Sequence, residues 1–233
     1  AILAPSIKEG PMISFDKIRK EAEQAAGGAD ELAARMPALK TEAELRAIPA
    51  AEYFSAMSFR IFSTGLNQTM VRNKWPAFEE AFHGFEPSRV AFMTEDDIAG
   101  LMENTAIIRH LGKIHATHHN ALALVEIAKQ HGSIGDYIAD WPVENIIALW
   151  DELKIRFKQL GGNSGPYFLR MMGKDGFILT ADVVEALNRL KVASGKLTSK
   201  TDRATVQAAF NDWHEETGLP HAHLSRILSI WKG

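Results

Sequence analysis

Apolar residues along this chain recur at helical spacing, and strict alternation of apolar and polar positions is almost absent. Phe54, Met57 and Ile61 lie at i, i+3 and i+7, which is the stripe that buries one face of an amphipathic helix. The segment 176–179 is at most a short extended piece. The pattern predicts an all-α protein of about ten or more mostly short helices. The predicted helices are 16–26, 30–36, 41–47, 51–62, a short one from Met70, 76–82, 95–103, 113–130, 143–159, 166–172, 181–190, 203–217 and 221–230.

A glycine-rich segment separates the predicted helices 143–159 and 166–172. It contains only small or polar side chains: Gly161, Gly162, Asn163, Ser164 and Gly165. These residues predict a tight hairpin, and Pro166 opens the next helix because its missing N–H costs nothing in the first turn. Free N–H groups at a helix N-terminus suit a phosphate group. A simple connection between two helices explains the same residues.

Composition limits the class of protein. The chain has 233 residues, of which 46% are hydrophobic and 24% charged, and no apolar run reaches about 18 residues, so we expect no transmembrane helix. The first residues, AILAPSIKEGPMISF, are broken by proline and glycine and do not look like a signal peptide. We therefore expect a cytoplasmic protein with no membrane partner.

Two further features of the composition bear on chemistry. The chain has no cysteine, which excludes disulfides, cysteine-ligated zinc or iron–sulfur clusters and a thiol nucleophile. We expect no metal and no cofactor. The net charge is −3, so a contact with nucleic acid must come from a local basic patch. Lysine and arginine are enriched between residues 154 and 200, which allows such a patch near the hairpin, although a solvated surface would also explain them.

The strongest motif precedes the hairpin and reads WPAFEEAFHGFEPSRVAFMTEDDIAGLMENTAIIRHLGKIHATHHNA. It resembles the 3-methyladenine DNA glycosylase I family of the helix-hairpin-helix DNA glycosylase superfamily. The matching residues are Phe78, Phe82, Phe85, Glu86, Pro87, Ile107, Ile108, Arg109, Lys113, Ile114, Asn120 and Ala121.

The resemblance extends from about Tyr53 to Ile230 and implies a two-lobed helix-hairpin-helix fold. The expected domains are an N-terminal helical extension, 1–50, and a glycosylase-like domain, 51–233, with its hairpin near 160–166. The implied function is removal of alkylated purines by a monofunctional DNA glycosylase in base-excision repair. The implied partner is double-stranded DNA with a damaged base, bound by a monomer.

Several positions depart from the family pattern. Arg60 and Gln68 stand where the family usually carries a glutamate and a tryptophan. The family's Cys/His zinc site cannot form without cysteine. Thr180 stands where the superfamily carries a catalytic aspartate, with Asp182 two residues further on. Pro166 or Tyr167 occupies the position of the lysine of bifunctional members, so Schiff-base chemistry is not expected.

The candidate site residues follow from the hairpin and from the resemblance. Asp182 is the candidate catalytic carboxylate, and its alternative role is as a helix N-cap. The candidate base-pocket residues are Arg60, Asn67, Gln68 and Tyr167. Their alternatives are a surface or ion-pairing residue for Arg60, turn chemistry for Asn67 and Gln68, and core packing for Tyr167. The candidate DNA-binding residues are Gly161, Gly162, Asn163, Ser164, Gly165 and Lys113, and a solvated helix end is the alternative for Lys113.

Two other functions remain open from the sequence. A non-catalytic DNA-binding or damage-sensing homologue would explain the changes at positions 60 and 180. A histidine-based metal enzyme would use His115, His118 and His119, which share one helix face at i, i+3 and i+4. No nearby carboxylate completes that set, and no H-E-x-x-H motif is present.

Overall fold

The structure, a computed structural model, describes residues 14–233, and this part of the chain contains fourteen α-helices and no strand. The predicted all-α class is therefore confirmed. The first seven helices are α1 (Phe15–Ala26), α2 (Ala29–Ala33), α3 (Glu42–Ala47), α4 (Ala50–Ser63), α5 (Gln68–Ala81), α6 (Pro87–Ala91) and α7 (Glu95–Leu101). The remaining helices are α8 (Leu111–His131), α9 (Ile134–Ala139), α10 (Ile146–Arg156), α11 (Ser164–Met172), α12 (Ala181–Arg189), α13 (Lys200–Thr217) and α14 (His221–Ile230).

Most predicted helices are found within a few residues, and α5 is the main exception. The sequence predicts two short helices, one from Met70 and one over 76–82, but a single helix runs through Pro76. Asn67 caps its start by accepting a hydrogen bond from the Met70 N–H at 3.1 Å. Proline is usually disruptive inside a helix, but Phe78 and Val71 are fully buried, so tertiary packing holds the helix together.

The centre of the molecule is built on α4. Tyr53, Phe54, Met57 and Phe62 are fully buried, and α4 packs against α5, α8 and α11. The Phe62 ring lies 4.5 Å, centroid to centroid, from Phe78 of α5. The i, i+3, i+7 stripe therefore faces the core as predicted, and Arg60, on the flank of that stripe, contacts Tyr167 of α11.

The N-terminal and C-terminal helices pack against each other. The ring of Phe15 on α1 lies 5.3 Å from that of Trp213 on α13. The indole N–H of Trp231 donates to the Glu21 carboxylate at 2.7 Å, and the Phe15 N–H donates to Glu216 at 3.1 Å. These contacts join α1 to the hydrophobic core of the C-terminal helices.

Two lysines are buried in the fold. Lys113 and Lys174 are 6% and 7% exposed. The Lys174 ammonium donates to the carbonyls of Ala139 and Trp141, at 3.3 and 2.6 Å, and burial lowers its pKa. Each lysine therefore supplies donors to backbone carbonyls at the end of a helix.

No helix among residues 14–233 is long and apolar enough to cross a membrane.

Candidate functional site

The glycine-rich hairpin lies between α10 and α11, as the sequence predicts. Helix α10 ends at Arg156, residues 157–163 form the connection, and α11 begins at Ser164. The predicted start at Pro166 is therefore wrong by two residues. Pro166 is the third residue of the helix, where an N–H would have no partner within the helix, so the earlier start costs no hydrogen bond.

The available N–H groups of the hairpin precede α11. The N–H of Ser164 donates to the Gly161 carbonyl, and that of Gly165 donates to the Leu160 carbonyl, each at 3.2 Å. The N–H groups of Gly161, Gly162 and Asn163 have no acceptor among residues 14–233. Ser164 and Gly165 are also buried. The predicted phosphate contacts of these two residues are therefore wrong, because both amides are already bonded inside the turn.

Two of the glycines are required for different reasons. Gly162 is exposed and has a φ of +59°, a left-handed conformation that most side chains avoid, although a Cβ there would meet nothing within 4 Å. Gly165 approaches the backbone closely, and a Cβ would lie 3.0 Å from the Leu160 carbonyl oxygen. Gly162 therefore shapes the exposed tip, and Gly165 lets α11 pack against the turn.

Asn120 anchors the hairpin to the long helix α8. Its amide nitrogen donates to the Lys158 carbonyl at 3.2 Å, and its oxygen accepts from the Lys158 N–H at 2.7 Å. Asn120 is fully buried. The Gln159 side chain adds a hydrogen bond to the Gly112 carbonyl at 3.2 Å. The asparagine of the sequence motif thus holds the start of the hairpin by pairing with its backbone.

A basic cleft of about 440 Å³ borders the other side of the hairpin. Gly162 and Asn163 line it together with Lys154, Lys196 and Arg203. The Asn163 side chain donates to the Leu179 carbonyl at 2.8 Å, which fixes the hairpin against the segment before α12.

One cation of this cleft is already paired. Arg203 donates to both carboxylate oxygens of Asp151, at 2.8 and 3.0 Å. This pair has no signal in the sequence, because its residues are 52 positions apart and neither belongs to a motif. Lys154 and Lys196 are the remaining cations of the cleft.

Arg60 and Tyr167, two of the four candidate pocket residues, lie in contact. The guanidinium carbon of Arg60 on α4 is 4.6 Å from the centre of the Tyr167 ring on α11. Both residues are half-buried, and the Arg60 Nε has no hydrogen-bond partner in the described structure. None of the ion pairs between residues 14 and 233 involves Arg60. The ion-pairing alternative for Arg60 is therefore wrong, since the cation stacks on an aromatic ring.

Asn67 and Gln68 have simpler local environments. Asn67 uses its side-chain oxygen as the N-cap of α5, as the turn alternative predicts. Gln68 is the first residue of α5 and is exposed. A role of either side chain in base recognition stays a prediction.

Asp182 lies in the exposed first turn of α12. Thr180, not Asp182, is the N-cap, because its hydroxyl accepts from the Val183 N–H at 3.3 Å. The alternative that Asp182 caps this helix is therefore wrong. Asp182 borders a crevice of about 30 Å³ together with Arg189 and Trp231. It does not line the cleft beside the hairpin.

Lys113 is turned into the protein. Its ammonium donates to the carbonyls of Phe62 and Thr64, at 3.1 and 2.8 Å, and burial lowers its pKa. The ammonium caps the C-terminal end of α4, where backbone carbonyls have no partner within the helix. The prediction that Lys113 binds DNA, and its alternative as a solvated helix end, are both wrong for this reason.

The histidines do not form a metal site. No group of three or more histidine, aspartate or glutamate side chains in the described part of the chain is arranged to hold a metal ion. His115, His118 and His119 share the first half of α8, but the imidazole Nε2 of His118 is buried without a partner. The available side chains therefore do not fit the zinc site of the resembled family.

Part of this chain is similar in sequence to known methyladenine glycosylases. Residues 47–158 match the family model for methyladenine glycosylase. Two curated relatives are a DNA-3-methyladenine glycosylase of Haemophilus influenzae, 38% identical over 74 residues, and DNA-3-methyladenine glycosylase 1 of Escherichia coli, 35% identical over 74 residues. Each alignment covers 32% of this chain and 40% of the relative's length.

The similarity in structure is wider than the similarity in sequence. A crystal structure of a variant 3-methyladenine DNA glycosylase I in complex with 3-methyladenine has a TM-score of 0.50 and 25% identity to this chain. That likeness covers 65% of this chain and 90% of the solved one. The all-α fold of that solved structure is therefore shared by this chain.

Proposed function

We propose that this chain, a 3-methyladenine DNA glycosylase I-like protein, is a monofunctional DNA glycosylase that removes alkylated purines from double-stranded DNA as a monomer. The hairpin carries the proposal. The N–H groups of Gly161, Gly162 and Asn163 have no acceptor among residues 14–233, and Gly162 and Asn163 line the cleft with Lys154 and Lys196. Such donors suit a phosphate oxygen. Asn120 fixes this turn to the segment that matches the family model.

The chemistry requires the damaged base to leave the stack and enter a pocket. Arg60 and Tyr167 form the proposed wall of that pocket, since α4 and α11 meet beside the start of the hairpin helix. A 3-methylated adenine carries positive charge and leaves readily, so the protein needs little acid catalysis. Water is the proposed nucleophile, because Pro166 or Tyr167 stands where the resemblance would place the lysine that forms a Schiff base. The DNA strand then stays intact after base release.

Asp182 is the proposed carboxylate that stabilises positive charge developing on the sugar. Its carboxylate is exposed and makes no ion pair within residues 14–233. Asp151 lies nearer to the hairpin in sequence and lines the same cleft as Gly162, but Arg203 already neutralises it. A paired carboxylate stabilises a developing cation less than a free one does.

The decisive experiment is base release from methylated duplex DNA. DNA treated with a methylating agent is incubated with the protein, and the liberated bases are identified by chromatography. We expect release of a methylated purine above that of a no-protein control and of unmethylated DNA. Absence of release at protein excess would contradict the enzymatic function.

A non-catalytic damage-binding protein is the second candidate, and the position of Arg60 favours it. A guanidinium stacked on Tyr167 occupies an aromatic face on which a base could otherwise stack. This candidate predicts tighter binding to methylated duplex than to unmethylated duplex, without base release. Binding measured on the same DNA samples separates the two functions.

A further inference from the structure

A second groove borders the hairpin and shares no lining residue with the basic cleft. It has a volume of about 400 Å³ and lies between the start of α8 and the first residues of the hairpin. Its lining residues are Gly112, His115, Ala116, His119, Lys158 and Gln159. His115 and His119 are one helical turn apart, so their imidazoles project on the same side of α8.

The walls of this groove are held in a fixed relation. Asn120 binds both the N–H and the carbonyl of Lys158, and Gln159 binds the Gly112 carbonyl. Gln159 has a φ of +63°, so the backbone reverses at this point. These hydrogen bonds set Lys158 on the hairpin opposite His115 and His119 on α8.

The groove has basic character. Lys158 and His115 are exposed, His119 is half-buried, and no carboxylate lines the groove within the described chain. The other titratable groups on the first half of α8 point elsewhere: the Lys113 ammonium binds carbonyls at the end of α4, and the Nε2 of His118 is buried. Glu126, the first acidic residue that follows along α8, is about 10 Å further along the helix axis from His119.

We propose that this groove binds the phosphate backbone of duplex DNA, with His115, His119 and Lys158 as the contacting side chains. The inference rests on the proposed DNA-binding function and adds a second phosphate-binding surface next to the hairpin. The hairpin amides and this groove lie on consecutive stretches of one connection, residues 157–163, so one DNA backbone can contact both. Phosphate is favoured over a carboxylate ligand because the same connection offers free amides and cations together.

Binding of an unmethylated fluorescent duplex tests this proposal without any base release. The wild type is compared at one pH and constant salt with the double variant His115→Ala/His119→Ala. His131→Ala is the matched control, because His131 is an exposed histidine near the far end of the same helix, about 18 Å from His119. We expect the double variant to bind the duplex about three- to tenfold more weakly than the wild type, and His131→Ala to bind as the wild type does.

Lys158→Gln provides an independent measurement. Removing one phosphate contact should lower the slope of log affinity against log salt concentration by about 0.9. Thermal unfolding of each variant confirms that the exposed substitutions leave the fold intact. If the wild type binds duplex DNA but the histidine variant binds as tightly and the lysine variant keeps the wild-type salt slope, the groove proposal is wrong and the proposed function stands. If the wild type binds no duplex, both proposals are wrong.

Discussion

The guanidinium of Arg60 lies over the ring of Tyr167, with its central carbon 4.6 Å from the ring centroid. The two residues come from α4 and α11, the helices that meet beside the hairpin. The pair therefore presents a cation that is already stacked on an aromatic face, and a cationic base would meet repulsion there.

Arg60→Glu should increase the release of 3-methyladenine if this pair forms the pocket wall. The change removes a positive charge and supplies a negative one, each worth on the order of 1 kcal/mol at a partly desolvated site. The expected gain is about thirtyfold in the rate of release, measured by chromatography under single-turnover conditions. Arg60→Gln is the matched control, since it removes the cation without adding charge, and should give a smaller gain. Unchanged release in both variants would place Arg60 outside the pocket.

Gly162→Asp should weaken duplex binding. The exposed position has a φ of +59°, and a Cβ meets nothing within 4 Å, so backbone strain and phosphate repulsion, not a clash, are the expected effects. Gly162→Asn is a close control, because asparagine and aspartate both tolerate the left-handed conformation and have nearly the same shape. Fluorescence anisotropy should show a several-fold larger loss of affinity for the aspartate variant. If the aspartate and asparagine variants bind the duplex equally well, the tip of the hairpin does not contact DNA phosphate.

The fold was predictable from local pattern, because helix stripes and caps are short-range features. The stripe of Phe54, Met57 and Ile61 faces the core, and Thr41 and Thr94 form capping boxes within four residues of sequence. The prediction of two helices in place of α5 is wrong, because burial of Phe78 overrides the local tendency of proline to break a helix.

The candidate site was less predictable, because its contacts join distant positions. Sequence could place Arg60 and Tyr167 on separate helices, but their stacking depends on how α4 packs against α11. Lysine is usually a surface residue, so the sequence does not predict that Lys113 is buried. Only the tertiary structure shows that its ammonium donates hydrogen bonds to the carbonyls at the end of α4. The ion pair between Asp151 and Arg203 in the cleft likewise cannot be predicted from a local sequence pattern.

Asp182→Asn should abolish base release while preserving DNA binding. The substitution keeps the size of the side chain and removes the negative charge that would stabilise a cationic sugar. Thr180 caps α12, so the variant should fold normally. Asp151→Asn is the comparison, because Asp151 is the carboxylate beside the hairpin, and losing its pair with Arg203 should mainly lower stability. If Asp182→Asn releases bases at the wild-type rate and Asp151→Asn does not release them, Asp151 in the cleft is the catalytic carboxylate and Asp182 is not.

Lys113→Met should lower stability without changing DNA affinity. The ammonium donates to two carbonyls at the end of α4, and methionine keeps the apolar stem but removes the donors. A loss of about 1–3 kcal/mol in the free energy of unfolding is expected, measured by urea denaturation. Lys158→Gln should behave oppositely, with unchanged stability and weaker DNA binding. If folded Lys113→Met binds DNA more weakly than the wild type, Lys113 contributes to the DNA-binding surface and this prediction is wrong.

His221 should make the fold sensitive to mild acid. The imidazole is fully buried beside Phe177 and Phe210, and neither ring nitrogen has a hydrogen-bond partner among residues 14–233. Burial lowers the pKa of His221. Asp175 opposes this shift and His214 adds to it. In the unfolded chain histidine takes up a proton near pH 6.5, whereas the folded chain resists protonation until a lower pH.

The unfolded state therefore binds more protons once the pH falls below about 6.5, and the free energy of unfolding decreases there by up to about 1.4 kcal/mol per pH unit. Urea denaturation between pH 7.5 and pH 5.5 measures this slope, above the range in which most carboxylates titrate. His221→Leu should flatten the slope whatever its effect on absolute stability, because leucine cannot bind a proton. His83→Gln, at an exposed position, should keep the wild-type slope. An undiminished slope in His221→Leu would assign the acid sensitivity to another group.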